Sequence, residues 1–319
     1  HLDFKRKYDQ LGIRTVVSSS DHREYDQMIE NGEFGIAIIV YEKMSQLLIK
    51  NPLLLKNIAL IIIDELQEIG DPHRGPGLEI TLTKIITSPY RPQILGLSAV
   101  LGNTETLAKW LGTDFLFNDK RPVELYQGVL YKGTFHYKTY NTYETREEPL
   151  VSVDSKDSST ILMANVVHLA SQGEQILVFL PSKRETMLFA SQLTDKVNLP
   201  EAEGAIGELS ILEDTSLKEG LISCLRSSVA FHHADLSSEE RNVIETYTRN
   251  GEIRVICCTT TLALGVNLPA TVVFLDAHKW EHDDDTDGLI LSPMSWAEYE
   301  NISGRAGRLG YGQDFGRSI

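Results

Sequence analysis

The feature that most constrains the fold is a set of short apolar runs, rich in β-branched residues, whose hydrophobicity is continuous rather than alternating. A strand buried on both faces of a parallel sheet needs apolar side chains at every position, whereas a strand with one face in water alternates. The chain therefore predicts an α/β fold built on parallel sheets flanked by helices. The predicted strands cover residues 14–18, 36–40, 58–63, 93–97, 175–180, 228–231, 253–258 and 271–275.

Helix starts fall between these runs. Ser182, Ser237 and Ser295 each precede a glutamate by three positions. In this pattern the serine hydroxyl and the glutamate carboxylate accept hydrogen bonds from two otherwise unpaired backbone N–H groups of the first helical turn. The helix after Ser237 is followed by Gly251, a residue suited to the left-handed position that ends many helices. We therefore expect strands to alternate with helices.

The length of 319 residues suits two domains. The stretch 131–159 is polar and has no clear period, so we place the boundary at its start. Residues 1–129 form the first predicted domain and residues 130–319 the second. A long edge hairpin inside one domain is the alternative interpretation of this stretch, although structureless loops of that length are uncommon.

The formal net charge of −15 argues against a protein that binds polyanions through overall positive charge. Residues 1–129 carry 14 basic and 17 acidic side chains, a balance of 14 − 17 = −3, and the remainder carries 16 − 28 = −12. The acidity therefore belongs to the second part. Nucleic acid held in a groove stays compatible with this charge.

The three cysteines, Cys224, Cys257 and Cys258, have no spacing that indicates a disulfide framework or a zinc site. No apolar run reaches the roughly 18 residues of a membrane span, and no signal segment opens the chain. We expect a soluble protein of the cytoplasm that does not contact a membrane.

Carboxylates follow the run 58–63 directly, at Asp64 and Glu65, with Gln67 two positions later. Ligands gather at the carboxyl ends of the strands in open parallel sheets. One carboxylate there can hold a hydrated Mg²⁺ on nucleotide phosphates, while the other orients or deprotonates water. A solvated turn is the alternative interpretation. Ser98, at the end of the next predicted strand, can link this loop to its surroundings by hydrogen bonds.

Two further segments carry groups that suit phosphate. Thr259, Thr260 and Thr261 leave a predicted strand with three hydroxyls, which can contact phosphate oxygens or merely cap a helix. Arg305 and Arg308 follow the helix that begins after Ser295 and project on one side if that segment is helical. Arginine forks stabilise a transferring phosphoryl group, and solvated surface arginines are the alternative.

In this order the motifs resemble superfamily 2 DExH-box helicases, specifically the Ski-two-like group that includes the archaeal Hel-type DNA repair helicases. The resemblance extends over nearly the whole chain. Residues 64–67 resemble motif II, 74–79 the R-G-P-x-L-E extension of that group, 97–103 motif III, 231–236 motif IVa, 259–270 motif V and 299–308 motif VI.

The resemblance implies two RecA-like domains, the first incomplete at its N-terminus, with ATP in the cleft between them and a nucleic-acid strand across both. It also implies a role for each matching residue. In the first domain, Asp64 positions Mg²⁺ through water, Glu65 activates water, Gln67 couples to motif VI and Ser98 connects hydrolysis to strand movement. In the second, Arg305 and Arg308 are arginine fingers, and Gly265 and Asn267 line the nucleotide. The residues that contact nucleic acid are Thr259, Thr260 and Arg74.

The sequence departs from the pattern of this group in several places. It contains no G-x-x-x-x-G-K-[ST] and no Gly-Lys dipeptide, so the phosphate-binding loop of motif I is missing and we expect this chain alone to bind ATP poorly. Milder departures are Val40 and Val100, where the group has threonine. Asp235 replaces a glycine of the group, and Asn301 replaces a glutamine. The carboxylates and both arginines are kept, which favours an active parent enzyme.

The resulting hypothesis is the core of an ATP-dependent helicase or translocase that moves 3′-to-5′ on single-stranded or forked DNA as a monomer. This chain is expected to be a fragment, inactive alone, of a protein of the cytoplasm, associated with the nucleoid in a prokaryote or nuclear in a eukaryote. A non-hydrolysing RecA-like scaffold, suggested by the missing loop and the acidic second domain, is one alternative. An RNA helicase of the same group is the other.

Overall fold

The structure is a computed structural model that describes residues 2–19, 22–72, 74–98, 104–259, 268, 270–276, 278–283, 288–307 and 314–319. The chain divides into two compact units, His1–Phe117 and Asn118–Ile319. Each unit contains parallel strands flanked by helices, so the predicted α/β class is confirmed.

In its described residues the first unit contains two parallel strand pairs, β1 with β2 and β3 with β4. All four strands predicted for this part of the chain are present. The strands are β1 (Thr15–Ser18), β2 (Ile36–Ile39), β3 (Leu60–Ile63) and β4 (Gln93–Gly96), and the α-helices are α1 (Leu2–Tyr8), α2 (Asp26–Glu30), α3 (Tyr41–Lys50), α4 (Gly75–Ile86) and α5 (Thr104–Leu111).

Burial on both faces, predicted for every strand, is wrong for β3 and β4. Ile61 and Ile63 pack against the core formed with α3 and α4. Leu60, Ile62 and Leu95 lie on the opposite face and are 45%, 56% and 46% exposed. Among the described residues, the helices that pack on this strand pair lie on one face of it, so continuous hydrophobicity here does not correspond to two buried faces.

The second unit is built on an eight-stranded sheet with the order β7-β6-β5-β14-β11-β8-β10-β9. Strands β8 to β11 are buried at every position, as their continuous hydrophobicity predicts. The strands are β5 (Glu124–Tyr131), β6 (Thr134–Thr139), β7 (Thr145–Pro149), β8 (Ile176–Phe179), β9 (Val229–His232), β10 (Val255–Cys258), β11 (Val272–Phe274) and β14 (Phe315–Ser318), with a separate hairpin of β12 (His278–Asp283) and β13 (Gly288–Pro293).

Six α-helices are described in this unit: α6 (Ser158–Ser171), α7 (Lys183–Thr194), α8 (Glu203–Ser210), α9 (Lys218–Leu225), α10 (Ser238–Arg249) and α11 (Trp296–Ser303). The predicted serine caps are present at the start of α7, α10 and α11, and the latter two have the complete reciprocal box. Gly251, just past α10, has φ +79° as expected. None of the helices in the described part of the chain is both long and apolar enough to cross a membrane.

The structure places the division between units earlier than the predicted boundary at residue 129. That boundary cuts strand β5, which pairs in parallel with β14 and antiparallel with β6 in the second sheet. The polar stretch beyond it is largely the β5–β6–β7 meander, so the edge-hairpin interpretation is the one observed. Sequence pattern missed this meander because its outer strands are half exposed and lack a continuous apolar run.

Candidate functional site

The predicted carboxylate loop leaves the carboxyl end of β3. Asp64 is exposed, and its Oδ1 accepts a hydrogen bond of 3.0 Å from the N–H of Glu65. Glu65 has φ +52°, a left-handed conformation that costs a non-glycine residue free energy and is often found at functional positions. The N–H of Leu66 donates to the carbonyl of Leu97 at 2.9 Å, which ties this loop to the end of β4.

A hydrogen-bonded chain joins three of the predicted residues in this loop. Ser98 Oγ donates to Gln67 Oε1 at 2.6 Å, and Gln67 Nε2 donates to Glu65 Oε2. The amide therefore uses its oxygen toward the hydroxyl and its nitrogen toward the carboxylate. This arrangement orients the Glu65 carboxylate through a side chain held from the neighbouring strand. It also supplies the hydrogen bond expected of Ser98.

The donor set of this loop fits a magnesium ion. Asp64 and Glu65 offer carboxylate oxygens, the ligands that Mg²⁺ prefers. No group of three or more metal-binding side chains occurs among the described residues. Such a sparse set is typical of a Mg²⁺ ion that keeps several waters and binds substrate phosphates, rather than one enclosed by protein ligands.

Arg74, predicted to contact nucleic acid, lies at the start of α4 within a cluster of its own unit. Its guanidinium donates to Glu68 Oε2 at 3.1 Å and lies 3.8 Å from Glu42 Oε1. It also stacks over the ring of Tyr41, 5.0 Å from the ring centroid. Burial raises the pKa of Tyr41 to about 12. The side chain of Arg74 is still 44% exposed, so one face of it is accessible.

Thr259 directly follows β10, at the carboxyl edge of the second sheet. Its N–H donates to the carbonyl of His232 at 3.3 Å, which extends the ladder between β10 and β9 by one step. The residue is 9% exposed. Thr260, Gly265 and Asn267, which complete the predicted motif V contacts, lie outside the described residues.

Arg305 and Arg308 were predicted to project on one side of a helix, but Arg305 is not in a helix. Helix α11 ends at Ser303, before the first arginine, and Arg308 lies outside the described residues. Gly307 has φ +66°, and its N–H donates to the carbonyl of Ala270 at 2.9 Å. The segment leaves the helix because its backbone bonds to Ala270, just before β11, instead.

Arg305 is buried, with 3% of its surface exposed. Burial raises the pKa of the nearby Cys258 thiol, and the positive charge of Arg305 acts in the opposite direction. The backbone next to Arg305 is placed by Ala306, which bridges to Ala270 just before β11.

Arg121, which the sequence analysis did not select, holds the segment that carries Arg305. Its Nη2 donates to the carbonyls of Gly304 at 3.3 Å and Ala306 at 3.1 Å, the residues on either side of Arg305. The backbone N–H of Arg121 donates to Asn141 Oδ1 at 2.8 Å, and Asn141 Nδ2 donates back to the Arg121 carbonyl at 3.1 Å. An arginine before a proline carries no local signal of such a role.

Comparison with known proteins identifies two helicase families along the chain. Residues 1–107 match the DEAD/DEAH box helicase family, and residues 159–310 match the helicase conserved C-terminal domain. Curated relatives include the ATP-dependent DNA helicase Hel308 of Caldivirga maquilingensis, 36% identical over 95% of this chain and 39% of its own length. The proteins of the same name from Methanococcus vannielii and Pyrococcus horikoshii are 34% and 30% identical, over 97% and 96% of this chain. The chain spans about 40% of the length of each of these two relatives.

Proposed function

Because the chain belongs to the superfamily 2 DExH-box helicases of the Ski-two-like group, we propose that it is the motor core of an ATP-dependent DNA helicase. The name of its relatives supports DNA as the substrate. We assign it 3′-to-5′ movement on single-stranded or forked DNA, as a monomer in the cytoplasm, near the nucleoid in a prokaryote or in the nucleus of a eukaryote. The observation that carries the proposal is the Ser98–Gln67–Glu65 chain at the end of β3.

Each residue of the carboxylate loop has a separate task in ATP hydrolysis. Asp64 would hold a magnesium ion through water, and that ion would supply positive charge at the β- and γ-phosphates. Glu65 accepts the proton of the attacking water. Since Glu65 Oε2 is engaged by Gln67, Oε1 is the oxygen available for that proton. Gln67 holds the carboxylate in place and, through motif VI, couples it to the second unit.

The remaining site residues act on phosphate charge and on the strand. Arg305 and Arg308 stabilise the charge on the transferring phosphoryl group. Gly265 and Asn267 line the nucleotide. Thr259, Thr260 and Arg74 contact the nucleic-acid backbone, and Ser98 links hydrolysis to movement through its hydrogen bond to Gln67.

Turnover requires a phosphate-binding loop, and this sequence contains no Gly-Lys dipeptide. We therefore assign hydrolysis to a longer protein that supplies the loop, and expect the present chain alone to be inactive.

Replacement of Glu65 tests the proposed base. In the longer protein, Glu65→Gln keeps the size and the hydrogen bond from Gln67 but removes the proton acceptor, so we expect a loss of about 10²- to 10⁴-fold in DNA-stimulated ATP hydrolysis with nucleotide binding retained. Glu105→Gln, the same change on an exposed position of α5, is the matched control and leaves the rate unchanged. Turnover near the wild-type rate in Glu65→Gln would contradict the role of Glu65.

A non-hydrolysing scaffold is the second candidate, supported by the missing loop and the acidic second part of the chain. DNA-stimulated hydrolysis by the extended protein would exclude it. An RNA helicase is separated from a DNA helicase by titrating salt against matched DNA and RNA strands, since both would be held by the backbone. Clearly tighter binding of RNA would overturn the DNA assignment.

A further inference from the structure

An exposed ion pair joins two loops at the carboxyl edge of the second sheet. Lys183 is the first residue of α7, in the connection after β8, and Asp235 lies in the connection after β9. The Lys183 ammonium pairs with the Asp235 carboxylate, and their side chains are 49% and 57% exposed. The pair is therefore accessible to a ligand from solvent.

The sheet order places this pair across the end of β10. Strands β8 and β9 flank β10 on its two sides. Cys258, the last residue of β10, lies in register with Phe179 of β8 and His232 of β9, so the three strands end together. A contact from the β8 loop to the β9 loop therefore passes over the point where Thr259 leaves β10.

The Asp235 carboxylate is held in its charged form at this position. The hydrogen bond from Lys183 lowers the pKa of Asp235 below its usual range. The N–H of Asp235 also donates to His233 Nδ1 at 3.3 Å, which fixes the backbone of the loop. Among the described residues, Lys183 is the basic side chain that forms an ion pair with this carboxylate.

We infer that Asp235 is a built-in competitor that occupies Lys183 until a nucleic-acid phosphate displaces it. This inference rests on the proposed function, because it deepens the nucleic-acid contact assigned to Thr259. A carboxylate and a phosphate both present anionic oxygens to an ammonium group. An exposed ion pair contributes little net free energy, so a strand can exchange one anion for the other. Asp235 thereby lowers the affinity of the protein for the nucleic-acid strand.

Freeing Lys183 changes affinity and salt dependence together. In Asp235→Asn the ammonium meets a phosphate without first losing a partner, and the repulsion between Asp235 and the strand disappears. We expect binding of single-stranded DNA to tighten about fivefold at low salt. In the wild type the displaced Asp235 carboxylate takes up a salt cation, which offsets part of the counterion release from the strand. Asp235→Asn takes up none, so the slope of log affinity against log salt becomes steeper, by about 0.7.

The experiment measures fluorescence anisotropy of a labelled oligo-dT strand with the present chain over a series of KCl concentrations. The variants are Asp235→Asn, Lys183→Gln and the double variant. Glu144→Gln is the matched control, since it also removes one carboxylate from an exposed pair, that with Arg146, next to β7. At about 4.8 Å per strand, the sheet order separates the β7 edge from the β9 edge by more than a Debye length of about 10 Å, so the control leaves binding unchanged.

The outcomes separate the inference from the proposed function. Tighter binding and a steeper slope are expected for Asp235→Asn in the wild-type background, with a clearly smaller gain when the same change is added to Lys183→Gln. An equal gain in both backgrounds overturns the inference, because it would come from charge removal without Lys183. If wild type and Asp235→Asn bind the strand equally well, the inference is also overturned, but the proposed nucleic-acid contact is not. Absence of binding by every variant removes that surface itself and the inference with it.

Discussion

Arg121 shows how one residue outside the recognised motifs can control another inside them. Its guanidinium binds the carbonyls that flank Arg305, and its own backbone is fixed by Asn141. Loss of this side chain leaves two carbonyls without their donor and releases the turn that follows α11. Arg121 is thus a positioning residue for Arg305.

Arg121→Gln in the longer, loop-containing protein is expected to lower kcat of DNA-stimulated ATP hydrolysis about tenfold to a hundredfold, with little change in nucleotide Kd. The physical reason is displacement of Arg305 from its working position. In the background of Arg305→Gln, the same change has no further effect on kcat, because its target is gone. Arg146→Gln, an exposed arginine, is the control. If the losses in kcat add up in the double variant, Arg121 does not act through Arg305 and its role is only structural.

The carboxylate loop could be predicted from sequence, whereas Arg121 could not. Asp64, Glu65 and Gln67 follow an apolar strand directly, so their chemistry and their placement are visible in one short segment. The carbonyls bound by Arg121 lie 183 and 185 positions further along the chain. No local pattern encodes a contact over that distance.

The helices differ in whether a side chain accepts hydrogen bonds from the backbone N–H groups of the first turn. Ser237 and Ser295 cap α10 and α11 with reciprocal hydrogen bonds. Val40 occupies the corresponding position before α3 with an extended backbone, φ −70° and ψ 142°, and offers no side-chain acceptor. This is the position at which the resembling group has a threonine, so the missing hydroxyl has a local structural consequence.

Val40→Thr is expected to raise the free energy of unfolding of the first unit by about 0.5–1.5 kcal/mol, because the threonine hydroxyl can accept from an N–H of the first turn of α3. Val40 is 42% exposed, so little apolar burial is lost. Urea unfolding, together with amide exchange at the start of α3, measures the effect. Val40→Ala is the control and brings no gain. Equal stability of Val40→Thr and wild type would show that the backbone is already satisfied.

The two units differ in how their apolar side chains are buried. The second unit has one continuous core that runs through strands β8 to β11 and their helices. In the described residues of the first unit, buried side chains form two smaller, separate clusters, and one face of β3 and β4 is exposed. Stability follows the amount of apolar surface buried, so the units are not equally stable.

Stepwise unfolding is therefore expected for this chain, with the first unit losing structure before the second. Amide exchange followed by mass spectrometry in increasing urea measures it: peptides from residues 2–117 lose protection at lower urea than those from β8 to β11. The N-terminal strands exchange first because fewer buried contacts oppose their opening. A single transition shared by all peptides would show that the units unfold cooperatively.

The sequence by itself determined the parallel strands, the serine-capped helices and the carboxylate loop at the end of β3. Each of these depends on residues within a few positions of one another, so hydrophobic period, capping pattern and strand-end chemistry are enough to predict them. Only the tertiary structure decided that β5 joins β14 in the second sheet, that Arg121 holds the Arg305 segment, and that Asp235 occupies Lys183. Those pairings join residues that are far apart in the chain, and the free energy that selects them comes from the assembled sheet rather than from any local segment.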